Sequence, residues 1–584
     1  MPQFRSPLAL LAALLTTFVP AALAPVPVQA GPVAGPAQAA DGPPRLVIFI
    51  SIDQMRGDYI TTYGSQWTRG LKRLADDGAL FMEAAYPYAH TVTCAGHATM
   101  STGTFPMTHG MIANEWYDRQ QGKRVACTDD PTVSNLSYGD PVKGVGNSAA
   151  PLLVPTFSDE LRAGAPRPPQ IVSLSMKPRS AIDLAGHKGD IVIWYSPASG
   201  WITSTAFGEQ KSPLIEKFIA ANPMEREFTK TWTKMLPEKA YLYTDDGLAE
   251  FPFKGWTNLF PHPITVGADD TQKSERWEIT PFADLYLAKM GIAALQELKL
   301  GQTPGTDYLA ISFSGLDRVG HGFGPRSHEV QDLLANLDQT IGLLLDAADA
   351  RVGKGNYVVA LTGDHGVSPV PEQLTAMGFD AGRLSVGPAV KKVEDLLVKK
   401  FGNLKDNGKY VVDQTAGYLY FAPGIYDKLR ADPETMKAAI DVLLQTPGVA
   451  QVVRREQLES TQATDDAMVR AARLSFRPER SGDLFIVPKR YWQTGAQGTT
   501  HGSPYKYDQR VPVLFYGAGV KAGKYWGPAT PADIAPTLAA ICRITMSRPD
   551  GRVLSDALDT HAGYGTAATS ARPAKPRPAS QGTR

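Results

Sequence analysis

Six residues of this chain combine the types that hold catalytic metal ions with places just past predicted strands or in a late loop: Asp53, Asp317, His321, Asp364, His365 and His501. Three carboxylates and three imidazoles, with no thiolate needed, suit Zn²⁺, with Mn²⁺ or iron open to the same ligand chemistry. Their spacing repeats a theme. Asp53 follows the apolar run 45–51, G-L-D-R-V-G-H-G (315–322) follows the run 307–314, and G-D-H-G (363–366) follows the run 357–362. His501 stands in a late loop, T-T-H-G-S, again just before glycine. Ions held by such a set can bind both the attacking and the leaving oxygen of an in-line displacement.

Two other stretches carry groups that this chemistry would use. Residues 89–114 pack hydroxyls, glycines and His90, His97 and His109 into a span with no core-strand run. Within it T-C-A-G-H, starting at Thr93, reads as the turn into a short helix, where free backbone N–H groups favour an anion. Residues 176–180, M-K-P-R-S, place Lys177 and Arg179 just past the apolar run 170–175. Cations so placed hold anionic groups through charge-assisted hydrogen bonds.

The elements that must position these groups alternate. Strands are predicted at 45–51, 79–85, 170–175, 190–195, 307–314, 357–362, 482–487 and 511–516. Helices are predicted at 68–77, 283–298, 328–351 and 531–542, with helical stretches at 391–401 and 426–444. The strand runs are short and rich in β-branched residues, as in strands buried on both faces. Their alternation with helices predicts an α/β fold with a mainly parallel central sheet and helices on both faces. Such sheets take ligands at the carboxyl ends of their strands. Residues 197–280, with Trp201, Trp232, Trp256 and Trp277, and residues 369–481 read as inserted segments, the first a cap over the sheet.

Charge and composition narrow the class. With 59 basic against 58 acidic residues in 584, no polyanion-binding surface is expected, and nucleic acid is not a bulk partner. Arg5, the apolar run 8–19 and V-Q-A before Gly31 read as a signal peptide over 1–30, followed by a disordered linker over 31–44. The tail 565–584 has the same disordered character, which leaves 45–564 as the catalytic domain. No apolar run reaches spanning length, so an exported soluble protein, periplasmic or secreted, is expected, with a monomer favoured. Export permits a disulfide among Cys94, Cys127 and Cys542; the first two are the nearer pair, and the pairing stays open.

The chain resembles the alkaline phosphatase superfamily, in the branch that holds nucleotide pyrophosphatase/phosphodiesterases and PafA-type bacterial alkaline phosphatases. The carriers are S-I-D-Q-M-R (51–56), T-C-A-G-H (93–97), S-T-G-T-F-P-M-T-H-G (101–110), G-L-D-R-V-G-H-G (315–322), T-G-D-H-G (362–366) and T-H-G (500–502). The resemblance implies an alkaline-phosphatase-like fold and two Zn²⁺ ions, the first on Asp317, His321 and His501, the second on Asp53, Asp364, His365 and the Thr93 oxygen. It implies that Thr93 is the nucleophile, with Thr91 the alternative across Val92, and that Asn114, Lys177 and Arg179 meet the phosphoryl oxygens. His97 is left a structural role. The implied activity is hydrolysis of phosphate monoesters through a phosphothreonine. A phosphodiesterase or nucleotide pyrophosphatase would share every metal ligand, and a non-catalytic anion- or metal-binding protein is the reading from a different class. Sulfatases of the superfamily read C-x-P-x-R or C-x-A-x-R at the nucleophile, and Cys94-Ala-Gly-His-Ala fits neither.

Overall fold

A computed structural model describes residues 42–559. The expected signal segment, most of the linker and the tail 565–584 lie outside these residues.

Ten strands form the main sheet: β1 (Leu46–Ile52), β2 (Ala79–Ala84), β3 (Asn135–Ser137), β4 (Ile171–Ser175), β5 (Ile191–Ser196), β6 (Gly200–Ser204), β7 (Asp307–Phe313), β8 (Tyr357–Thr362), β9 (Val513–Gly517) and β10 (Gly523–Ala529). Their order is β10-β2-β9-β8-β1-β7-β4-β5-β6-β3. The middle of the sheet, β8-β1-β7-β4-β5, is parallel throughout. Antiparallel pairings join β9 to β8 on one side and β6 to β5 on the other.

The sequence of β1, L-V-I-F-I-S-I, dictates this central place. All seven residues are buried, and a strand with no polar face needs cover on both sides. Leu46, Ile48, Ile50 and Ile52 point to one face, under helices α4 (Pro281–Glu297) and α6 (His328–Arg351). Val47 and Phe49 point to the other, under α2 (Thr93–Thr102) and α7 (Ile534–Cys542). Each such side chain contributes about 1.5–3 kcal/mol on burial. The helix predicted at 328–351 forms over those residues because Ser327 caps it, its side chain accepting from the Val330 N–H. The stretch 426–444 is instead two helices, Ile425–Ala431 and Pro433–Leu444, because Pro433 lacks the N–H to continue the first and suits the start of the second.

The two inserted segments behave differently. In 197–280, β6 extends the main sheet, and Trp201, Trp232, Trp256 and Trp277 are buried in the core cluster of that face. In 369–481, strands Val411–Thr415, Tyr418–Phe421 and Val449–Arg454 form a second sheet with Leu484–Pro488, so this lobe runs past 481. It has its own core, with Val393, Leu397, Leu429 and Leu443 fully buried.

Candidate active site

Four neighbouring parallel strands end level with one another. Ser51 pairs with Ser312 and Thr362, and Ser312 pairs with Ser175. The residues that follow these partners therefore emerge along one edge: Asp53 after β1, Asp364 and His365 after β8, Lys177 and Arg179 after β4. The β7 end feeds a short helix, α5 (Gly315–Phe323), rather than a loop. Its i, i+4 spacing puts Asp317 and His321 on one face.

The imidazoles share one arrangement. His321 Nδ1 meets Thr499 O at 2.8 Å, His501 Nδ1 meets Thr91 O at 2.9 Å, and His365 Nδ1 meets Gly366 O at 2.9 Å. A carbonyl only accepts, so each Nδ1 carries the proton and each Nε2 keeps its lone pair. Those lone pairs face carboxylates. His321 Nε2 and His501 Nε2 lie 3.2 and 3.7 Å from Asp317 Oδ1. His365 Nε2 lies 3.5 Å from both Asp53 Oδ1 and Asp364 Oδ2, and all three of these atoms are buried without a hydrogen-bond partner. Burial and the neighbouring imidazoles His365 and His321 hold His501 well below its ordinary range, so it stays a neutral donor.

The carboxylates crowd one another. Burial, then Asp317 and Asp364, push Asp53 up to about 6. Burial would raise Asp317 too, but Lys177, His321 and His501 hold it well below the usual carboxylate range. Lys177 Nζ sits 2.6 Å from both Asp53 Oδ2 and Asp317 Oδ2, at the point where positive charge is most needed. Donor atoms of Asp317, His321 and His501 lie within 4.8 Å of one another, as do those of Asp53, Asp317 and His365. Asp317 thus stands between two groups. Orphaned oxygens and imidazole lone pairs in a buried, repelling cluster fit cations of the zinc type. The expected second set differs: Asp317 stands in that group in place of Asp364, which accepts from the Gln54 N–H at 3.0 Å.

Thr93 opens α2, preceded by Val92 in extended conformation. Its carbonyl meets His97 Nδ1 at 2.9 Å, and His97 Nε2 meets Ser312 Oγ at 2.8 Å, which ties this helix to the end of β7. Gly96 lets the helix reach Asp364, since a Cβ there would lie 2.2 Å from Asp364 O. Gly96→Ala is expected to cost about 1–3 kcal/mol, as overpacking does, and to lower metal content with it. Thermal denaturation and elemental analysis check both. The alternative nucleophile is engaged elsewhere: the Thr91 hydroxyl donates to Ser503 O at 3.1 Å. Asn114 Oδ1 accepts from the Cys94 N–H at 2.9 Å, one residue past Thr93. Arg179 is partly buried, with its Nε lacking any partner, beside Lys177, Asp317 and His321 in a cleft of about 800 Å³. His109 stays outside the site, accepting from Met111 N–H and facing Thr99 Oγ1.

Residues 47–508 match the type I phosphodiesterase / nucleotide pyrophosphatase family. The chain belongs to that family. Among its curated relatives, alkaline phosphatase PhoV of Synechococcus elongatus is 32% identical over 524 residues, covering 88% of this chain and 93% of the relative. Alkaline phosphatase PafA of Elizabethkingia meningoseptica is 30% identical, covering 87% and 93%. The crystal structure of wild-type PafA superposes with a TM-score of 0.80 at 28% identity, over 88% of this chain and 99% of that one. The alkaline-phosphatase-like fold expected from the sequence is therefore present.

Two features of this family member escape a reading of motifs alone. Gln54 has a left-handed backbone (φ 64°) and spans the site, its N–H on Asp364 and its Nε2 donating to Asp317 Oδ1 at 2.8 Å. Its place directly after Asp53 was the only signal. Cys94 and Cys127 form a disulfide, which leaves Cys542 free and buried.

Proposed function

We propose that this protein is an exported, zinc-dependent alkaline phosphatase that hydrolyses phosphate monoesters through a phosphothreonine at Thr93. The observation that carries the reading is the common tautomer of His321, His365 and His501, each Nε2 aimed at a carboxylate of a buried cluster. Family membership and relatives named alkaline phosphatases support it. Asp317, His321 and His501 would hold one ion, and Asp53, Asp364 and His365 with Thr93 the other. When bound, zinc there would activate an oxygen nucleophile and neutralise charge on the leaving oxygen.

The chain's own residues do the rest. Thr93 Oγ gives up its proton and attacks phosphorus in line; the Oγ–P bond forms as the ester P–O bond breaks, and the alkoxide takes up a proton and leaves. The dipole at the start of α2 favours the anion, although the Cys94 N–H is already donated to Asn114 Oδ1 and the Gly96 N–H to Val92 O. Arg179, without a competing partner, and Asn114, whose amide NH₂ is unengaged among the described residues, hold the equatorial oxygens. Lys177, whose Nζ lies 2.6 Å from Asp53 Oδ2 and Asp317 Oδ2, supplies the second cation to the equatorial oxygens. Water then attacks phosphothreonine from the side the alcohol left, which releases phosphate and restores the hydroxyl.

Zinc analysis with hydrolysis of an aryl phosphate and its bis-aryl diester tests this reading. Bound zinc and faster monoester turnover are expected; faster diester turnover identifies a phosphodiesterase, and no turnover of either leaves an anion-binding protein. Lys177→Ala with Arg179→Ala should lower kcat/KM for the monoester by about 100-fold or more, as loss of oxyanion donors does, and for the diester far less. Equal losses on both substrates contradict the monoesterase reading. Export is supported by the leader pattern in residues 1–30 and by the disulfide, which belongs to oxidising compartments. N-terminal sequencing of the mature protein checks it. Among the described residues no helix is long and apolar enough to cross a membrane.

A further inference from the structure

We infer that the Cys94–Cys127 disulfide is a positioning device for the active site, and that it acts through Asn114. This rests on the monoesterase reading, in which Asn114 meets the phosphoryl group.

Asn114 lies at the neck of a hairpin formed by Glu115–Asp118 and Lys123–Ala126. Both half-cystines grip it. The Cys94 N–H donates to its side-chain Oδ1 at 2.9 Å, and the Cys127 N–H donates to its backbone oxygen at 3.0 Å. The disulfide closes this ring covalently, joining the first turn of α2 to the hairpin neck. With Oδ1 committed, the amide cannot flip, and its NH₂ is the end left for a ligand. A hairpin neck held only by two hydrogen bonds would move relative to Thr93, one residue before Cys94. The disulfide removes that freedom, and positioning of this kind is where phosphoryl transfer draws its rate.

The surroundings fit the same role. Both sulfurs are buried, in a cluster with Ala98, Ile112 and Trp116, so the link is not a surface staple. Cys94 Sγ also lies 3.4 Å from Asp183 Oδ2 on α3 (Pro178–Ala185), the helix whose first turn carries Arg179. Asp183 is four residues beyond Arg179, on the same helical face. The sulfur pair thus touches the elements that present Thr93, Asn114 and Arg179.

A double-mutant cycle on the zinc-loaded enzyme tests this. Asn114→Ala is expected to lower kcat/KM for an aryl phosphate by about 100-fold or more, as for one lost donor, and Cys127→Ala by up to the same factor. Combined, they should lose no more than Asn114→Ala alone, because residues acting through one contact are not additive. Losses that multiply overturn the inference, and place the disulfide in stability only; melting temperatures of the four proteins record that separate effect. If Cys127→Ala does not fold, the wild-type and Asn114→Ala holoenzymes are compared by rate of disulfide reduction with a phosphine. Saturating inorganic phosphate should slow reduction several-fold in the wild type and not in Asn114→Ala, since linkage is reciprocal. Equal slowing in both overturns the inference. A wild-type enzyme inactive on monoesters sinks the function reading and this one with it; an active enzyme with multiplicative losses sinks this one alone.

Discussion

Thr93→Ala is expected to remove turnover of an aryl phosphate, by at least about 1,000-fold, while the protein keeps its metal. The two outcomes separate because Thr93 is only one oxygen among the donors. Asp317, His321 and His501 lie within 4.8 Å of one another without it, and Asp53, Asp364 and His365 converge without it. The fold should also tolerate the change. Val92, not Thr93, is the N-cap residue of this helix, and Ala is a good helix residue. Thr93→Ser should retain part of the rate, since it keeps the hydroxyl. Initial rates, elemental analysis and a melting curve on the same samples check all three statements. A Thr93→Ala protein that turns over at the wild-type rate rules out Thr93 as nucleophile.

Removal of metal by a chelator should abolish activity to a similar extent and lower the melting temperature. Added zinc should restore both. The physical reason is the crowding of Asp53, Asp317 and Asp364, which are fully or nearly fully buried, with Lys177 the cation in direct contact. Burying charge without compensation is costly, and one ammonium does not balance three carboxylates. A ligand present at 1,000 times its dissociation constant stabilises the folded state by about 4 kcal/mol. Activity that survives exhaustive chelation and dialysis contradicts the metal assignment.

Much of this was legible in the chain before its structure. The parallel middle of the sheet announced itself through runs such as L-V-I-F-I-S-I, whose lack of a polar face permits only a central strand. The candidate ligands Asp53, Asp317, His321, Asp364 and His365 were legible because they stand just past such runs, and His501 because its loop repeats the histidine–glycine pair. The lateral order of the strands was not, since side-chain pattern says which faces are buried but not which strands are neighbours. The level strand ends that bring Asp53, Asp317 and Asp364 together come from pairing register. Asp317 and His321 were expected just past a strand, and their i, i+4 spacing was already that of the helix they occupy. Lys177 was expected, from the resemblance, to meet the phosphoryl oxygens. Its place between Asp53 and Asp317 depends on the charge of residues more than a hundred positions away. The Cys94–Cys127 pairing stayed open for a related reason: three cysteines allow several outcomes, and only the folded hairpin decides among them.

The most direct test of the account is to quench the zinc-loaded enzyme in acid during turnover of a phosphate monoester and map the bound phosphoryl group by mass spectrometry. The account predicts one phosphoryl group on the peptide that carries Thr93, absent from Thr93→Ala. A phosphoryl group on Thr91 or any other residue, or none under conditions where the burst phase shows a covalent intermediate, contradicts it.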